Sequence, residues 1–184
     1  MGKGLLIIDA QNEYFAPHGN VVLPNGEKGL THIHRLLSAA RERGLPIFHI
    51  VHERLESTGN GFIRGTSGTE IHPSLEVRPG ELKLLKHFPG SFTQTPLEAY
   101  LHRADVDTVI ICGFMAQMCC DTTTRQARER GFRVQYALDA TAARDFTLFG
   151  KTIPHTEILE STLAVMTQFA DVLPADEIIR QLDV

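Results

Sequence analysis

Cysteine is scarce in this chain of 184 residues: there are three, and two of them, Cys119 and Cys120, are adjacent. Such a set cannot build a disulfide framework and suits a reducing compartment, so free thiols and a cytoplasmic location are expected. Runs of Lys or Arg are missing as well, and 18 basic against 22 acidic side chains give a formal net charge of -4. That balance offers no stripe for a phosphate backbone or an anionic membrane surface, so neither nucleic acid nor membrane is an expected partner. The first apolar run, Leu5 to Ile8, stops at Asp9 and is too short for a signal peptide. No stretch approaches the roughly 18 residues of a membrane span, and a soluble protein is expected. The first strand is not followed by Gly-x-Gly-x-x-Gly, which argues against a dinucleotide-dependent oxidoreductase. With 42% hydrophobic content and neither repeats nor low-complexity tracts, residues 1–184 are expected to form one domain around one core.

Short runs of Val, Ile and Leu alternate with segments of helical periodicity. This is the pattern of an α/β fold: three layers, α-β-α, around a mainly parallel, Rossmann-like sheet of about six strands. Leu5 to Asp9, Ile47 to Val51, Leu82 to Leu85, Val106 to Cys112, Val134 to Leu138 and Asp171 to Leu173 read as the strands. Leu30, Ile33, Leu37 and Ala40 line a helix closed by Gly44, and Pro96 to Leu101 reads as a short one. A further helix is expected from about Cys119 to Gly131, another is lined by Leu159, Leu163 and Met166, and a terminal one carries Ile178, Ile179 and Leu182. Glu56 to Gly80 is rich in Gly, Ser, Thr and Pro and reads as a long surface excursion.

Ligands of such sheets bind beyond the carboxyl ends of the strands, which directs attention to three side chains. Asp9 ends the first strand, where burial raises a carboxyl pKa unless a cation holds it ionised; standing alone, it reads rather as a turn cap or a partner of loop amides. Lys86 ends the third strand among apolar neighbours and needs an acid partner, and two strand spacings of about 4.8 Å are within its reach. Cys119 lies where the next helix is expected to start, a position that lowers a thiol pKa. Cys112, inside a strand, belongs to the core.

These residues fall in register with a family pattern. Leu6-Ile-Ile-Asp-Ala-Gln-Asn-Glu-Tyr-Phe15 is similar to an Asp-x-Gln-x-x-Phe opening, and Lys86 stands six residues before Phe92, with Thr95 and Leu97 beyond. Gly113-Phe-Met-Ala-Gln-Met-Cys119 leads into Thr123-x-Arg-x-Ala127, and Asp139-Ala-Thr141 follows. The chain thereby resembles the isochorismatase-like cysteine hydrolases, a group that includes nicotinamidases, N-carbamoylsarcosine amidases and ureidoacrylate amidohydrolases. Ala116 and Cys120 depart from that block, where Thr and Val are frequent.

The resemblance implies an Asp9-Lys86-Cys119 triad cleaving a C–N bond of a small amide or ureido compound through a thioester. It also implies a cis peptide bond between Phe114 and Met115 and an oxyanion hole from the amides of Met115 and Cys119. Lys86 would keep Asp9 charged and favour the thiolate. A homodimer or homotetramer is implied too. The rivals are vinyl ether hydrolysis of the isochorismatase type, which needs no nucleophilic cysteine, and a catalytically silent binding protein on the same fold. No cofactor is implied. Nicotinamidases carry a metal-binding Asp-x-His, whereas this chain reads His49-Ile-Val-His52 with the two histidines expected on opposite strand faces, so no metal is expected. Phe15 and Phe92 are candidates for apolar contact with the substrate, Arg64 for its carboxylate, and the loop around Phe62, Arg64 and His72 for a cover.

Overall fold

A computed structural model describes residues 2–17, 19–55 and 61–182; the part of the expected excursion at 56–60 lies outside the described residues. The strands of the central sheet are β1 (Gly2–Ile8), β2 (Ile47–His52), β3 (Leu82–Lys86), β4 (Val106–Phe114), β5 (Arg133–Ala142) and β8 (Asp171–Leu173). They run in the order β3-β2-β1-β4-β5-β8, every pair parallel. The order in which successive strands are added reverses between β1 and β4, and that is where an open parallel sheet presents its ligand crevice.

Burial on both faces explains why β1 reads as a continuous apolar run rather than an alternation. Leu5 and Ile7 pack with Leu30, Ile33 and Leu37 of helix α1 (Gly26–Glu42) and with Ile178 of α5 (Ala175–Arg180). Leu6 and Ile8 turn to the other face, toward Leu97 and Leu101 of α2 (Leu97–Arg103), Ala127 of α3 (Asp121–Glu129) and Met166 of α4 (His155–Met166). Each fully buried Leu or Ile contributes about 1.5–3 kcal/mol of transfer free energy. Helix α1 ends where Gly44 takes φ 64° and the Leu45 amide donates back to the Ala40 carbonyl, as the sequence predicted for a glycine stop.

Three features depart from the sequence reading. The helix expected from Cys119 begins instead at Asp121, after a π-helical turn over Ala116–Cys120. The Met115 carbonyl accepts there from the amides of both Met118 and Cys120, which widens the first turn. Strand β5 runs on to Ala142 through a bulge, for Ile111 pairs with Tyr136 but Gly113 with Thr141. A hairpin, β6 (Phe146–Leu148) with β7 (Lys151–Ile153), follows in a segment too short and too polar to register as strands.

Candidate active site

Asp9 is the first residue past β1. Its amide still donates to the Ile50 carbonyl of β2, while its own backbone turns to φ 50°, a left-handed conformation that Asp tolerates better than most residues. The side chain is thereby aimed across the end of the sheet and is fully buried. Gly113 lets the end of β4 close over it: at φ 121°, a Cβ on this residue would lie 2.0 Å from the Ile8 carbonyl oxygen.

Lys86 is the last residue of β3 and pairs across the strand with His52. Its side chain passes the end of β2 and brings Nζ to 2.7 Å from Asp9 Oδ2, both groups being fully buried. The ammonium also meets the Phe88 carbonyl at 3.1 Å, Cys119 Sγ at 3.4 Å and His52 Nδ1 at 3.4 Å. Three protons face four acceptors. Asp9 and Phe88 are the nearest two, which leaves one proton to be shared between the sulfur and the imidazole.

Burial pushes the Asp9 carboxyl above its ordinary range, and the Lys86 charge pulls part of that back. For Lys86, burial works against the ammonium, but Asp9 and the sulfur outweigh it and the pKa is raised. Cys119 does not behave as a helix-start thiol. Burial first and the Asp9 charge second push its pKa up, with Lys86 partly opposing them. Burial, followed by the charge of Lys86, brings His52 down to about 3, so its imidazole is neutral and Nδ1 can accept.

The remaining motif residues hold this arrangement. Gln11 donates to the carbonyls of His52 and Thr69 and accepts from the His52 amide, pinning the end of β2. Glu13 accepts from the amides of Asn20 and Phe62. Thr123 accepts from the Ser91 amide, and Gln126 accepts from that of Phe92, fixing the loop after Lys86 to α3. Asp139 accepts from the Ala175 amide at the start of α5.

A cavity of about 300 Å³ opens onto Cys119. Tyr14, Val21, Phe62, Met115 and Met118 form its apolar wall, while His52, His87, Arg54 and Arg144 supply the polar groups. Cys120 and Cys112 are buried away from it. The peptide bond between Phe114 and Met115 is cis.

The structure thus brings Asp9, Lys86, Cys119 and Met115 together but not the other candidates. Phe15 is a core residue with its ring 4.8 Å from His72 and 5.7 Å from Phe114. Phe92 packs on Phe132 beneath the Arg130 guanidinium. Arg64 is drawn to Glu53 at 3.1 Å and does not line the cavity. In the expected cover, Phe62 does reach the site, edge-on to Tyr14 and His52. Tyr14, His52, Arg54 and Arg144 escaped the sequence reading; the signal available for His52 and Arg54 was their place at the end of the second strand. The two histidines weighed as metal ligands part company, since His49 pairs with Glu81 at 2.9 Å while His52 faces Lys86.

Residues 3–168 match the Isochorismatase domain family. YddQ of Bacillus subtilis, an isochorismatase family protein, is 36% identical over 90% of this chain and 92% of its own length. Nicotinamidase 3 of Arabidopsis thaliana is 29% identical over 81% of this chain and 77% of its own. Among solved structures, an isochorismatase from Pseudomonas putida superposes with a TM-score of 0.88 and 35% identity, covering 95% of this chain and 89% of that one.

Proposed function

The chain belongs to the isochorismatase family of hydrolases, and from that premise we propose that it cleaves a C–N bond of a small amide or ureido compound with Cys119 as nucleophile. The observation that carries this reading is the buried contact set in which one ammonium touches both a carboxylate at 2.7 Å and a cavity-lining thiol at 3.4 Å. A carboxylate whose basicity is raised by burial suits the task of removing the proton from a thiol whose pKa burial also raises.

In the proposed sequence, the Cys119 proton passes to Asp9 and Sγ attacks the substrate carbonyl carbon. The thiolate charge that develops is met by Lys86. The carbonyl electron pair moves onto oxygen, where the amides of Met115 and Cys119 receive it as an oxyanion hole. As the pair returns, the C–N bond breaks, Asp9 gives its proton to the departing nitrogen, and a thioester remains. Water then attacks the thioester, passing a proton back by way of Asp9 to the sulfur, and the acid is released. Lys86 holds the ammonium form throughout. No step calls on a metal or an organic cofactor.

Ammonia release from a panel of small amides and ureido acids tests the reading. Turnover that vanishes in Cys119→Ala, together with a substrate-derived mass on the Cys119 peptide after acid quench, is the expected result. Full turnover in Cys119→Ala would overturn Cys119 as the nucleophile, and absence of turnover across the panel would favour vinyl ether hydrolysis or a binding protein. Among the described residues no helix is long and apolar enough to cross a membrane. Cysteine usage supports a reducing, cytoplasmic setting.

A further inference from the structure

Two arginines, Arg54 and Arg144, line the cavity beside Cys119. Arg35, Arg41, Arg64, Arg125, Arg130 and Arg180 each meet a carboxylate. Arg54 and Arg144 meet none among the described residues, although both line the cavity that opens on Cys119, and no Asp or Glu lines it with them. The nearest carboxylate in sequence to Arg54, that of Glu53, is engaged by Arg64. His52 is held neutral and adds no charge of its own, and His87 is tied through Nδ1 to the Glu53 carbonyl.

The two cations are also positioned from opposite sides. Arg54 follows β2, and its amide donates to the carbonyl of Phe62, a wall residue of the cavity. Arg144 follows β5 and lies over the Phe146 ring, its Cζ 4.7 Å from the centroid, so the hairpin β6–β7 supports it. A guanidinium stacked on an aromatic face keeps its fork of N–H donors free at the edge. Two such forks with no carboxylate beside them in the same pocket offer an entering anion charge-assisted hydrogen bonds.

We infer that Arg54 and Arg144 form an anion subsite, and that the substrate is a small amide or ureido compound carrying a carboxylate at the end remote from the bond that Cys119 cleaves. The inference rests on the reading of Cys119 as nucleophile and narrows its substrate class. A cavity of about 300 Å³ is at the small end of ligand sites and suits one short chain spanning from the sulfur to the two guanidinium groups.

Half-amides of dicarboxylic acids, from malonamate to adipamate, are compared with the corresponding neutral diamides by ammonia release. At least one half-amide is expected to exceed its diamide in kcat/KM by tenfold or more, the scale of a single charge-assisted contact. In Arg54→Ala and Arg144→Ala that ratio falls about tenfold each, and raising the ionic strength lowers it as well. Circular dichroism checks that these surface substitutions leave the fold intact. Binding of the same half-amides to Cys119→Ala, measured by calorimetry, separates the two claims. Arginine-dependent binding without turnover in the wild type keeps the subsite and overturns the hydrolase reading. Turnover of diamides and half-amides at equal rates keeps the hydrolase reading and overturns the subsite, as does a ratio that neither arginine moves. Absence of both turnover and half-amide binding overturns the subsite too.

Discussion

Lys86→Met separates the structural from the chemical part of the Lys86–Asp9 contact. The ammonium and the carboxylate are 2.7 Å apart and fully buried, and the Lys86 side chain gives Asp9 its counter-charge. Removing one partner of such a pair leaves an uncompensated buried charge, a loss of about 3–5 kcal/mol. With a urea m-value of about 2 kcal/mol/M, the unfolding midpoint falls by about 1.5–2.5 M. The loss has a pH signature. Without Lys86 the folded-state pKa of Asp9, already raised, rises further above the 3.8 of the unfolded carboxyl. Between those two values the unfolded chain has released the proton and the folded chain has kept it, so stability falls as pH rises, by about 1.4 kcal/mol per unit. Below the unfolded value both states are protonated and the penalty from the unpaired charge is gone. Urea titrations of wild type, Lys86→Met, Asp9→Asn and the double variant at pH 4, 6 and 8 read this directly. The deficit of Lys86→Met relative to wild type is expected to be small at pH 4 and full at pH 8, and the double variant to lose less than the sum of the singles. A deficit independent of pH, or strict additivity, would falsify the claim that this ion pair is the buried charge compensation of the site.

The pH profile of kcat/KM is expected to show an acid limb above 3.8, because burial raises Asp9, and no alkaline limb below about pH 10, because Lys86 is raised and the thiol need not ionise in bulk; a limb near neutral that tracks thiol titration would contradict this. Cys119→Ala is expected to abolish both turnover and iodoacetamide labelling, whereas Cys120→Val folds and keeps most activity, since Cys119 alone of the three thiols lines the cavity; loss at Cys120 with activity kept at Cys119 refutes the register. Gly113→Ala is expected to destabilise by about 4 kcal/mol or more in chemical denaturation, for its Cβ would meet the Ile8 carbonyl at 2.0 Å; a wild-type midpoint refutes the close approach. The homodimer or homotetramer that the resemblance implies would account for Phe149, which is 98% exposed at the hairpin beside exposed Leu148; sedimentation showing only monomer at micromolar concentration counts against it.

What could be read from the residues follows from what local pattern encodes. Buried parallel strands announce themselves because both faces of Leu5 to Ile8 and of Val109 to Cys112 are covered, and the turn after a strand end locates Asp9 and Lys86 without any knowledge of the third dimension. The π-turn before α3 was not legible: Ala116 to Cys120 has ordinary helical composition, and its widening comes from the doubly accepting Met115 carbonyl. Burial, which is a tertiary property, likewise acts on the Cys119 thiol against the helix-start effect inferred from position. Phe15 was one residue out of phase. Tyr14 enters the cavity and Phe15 turns into the core, and a short 3-10 turn over Asn12–Tyr14 decides which. Arg64 looked available because the sequence does not show that Glu53 is the acid it finds.

The strand order also accounts for the choice of lysine at position 86. Asp9 and Cys119 belong to the crevice between β1 and β4, but β3 is two strands away from β1, and β2 lies between them. A cation from β3 must cross the end of β2, where His52 is its direct cross-strand neighbour, and must still arrive as a point charge able to face several acceptors at once. A long unbranched chain ending in a compact ammonium does this; the planar fork of an arginine would direct its donors outward in one plane and could not converge on a carboxylate, a carbonyl and a sulfur grouped around one nitrogen. Because that nitrogen spends its protons on groups from β1, from its own loop and from the π-turn, it ties the chemistry of the site to the relative placement of three segments. The neutral ring of His52 completes the set by accepting from that nitrogen rather than competing with it as a second cation.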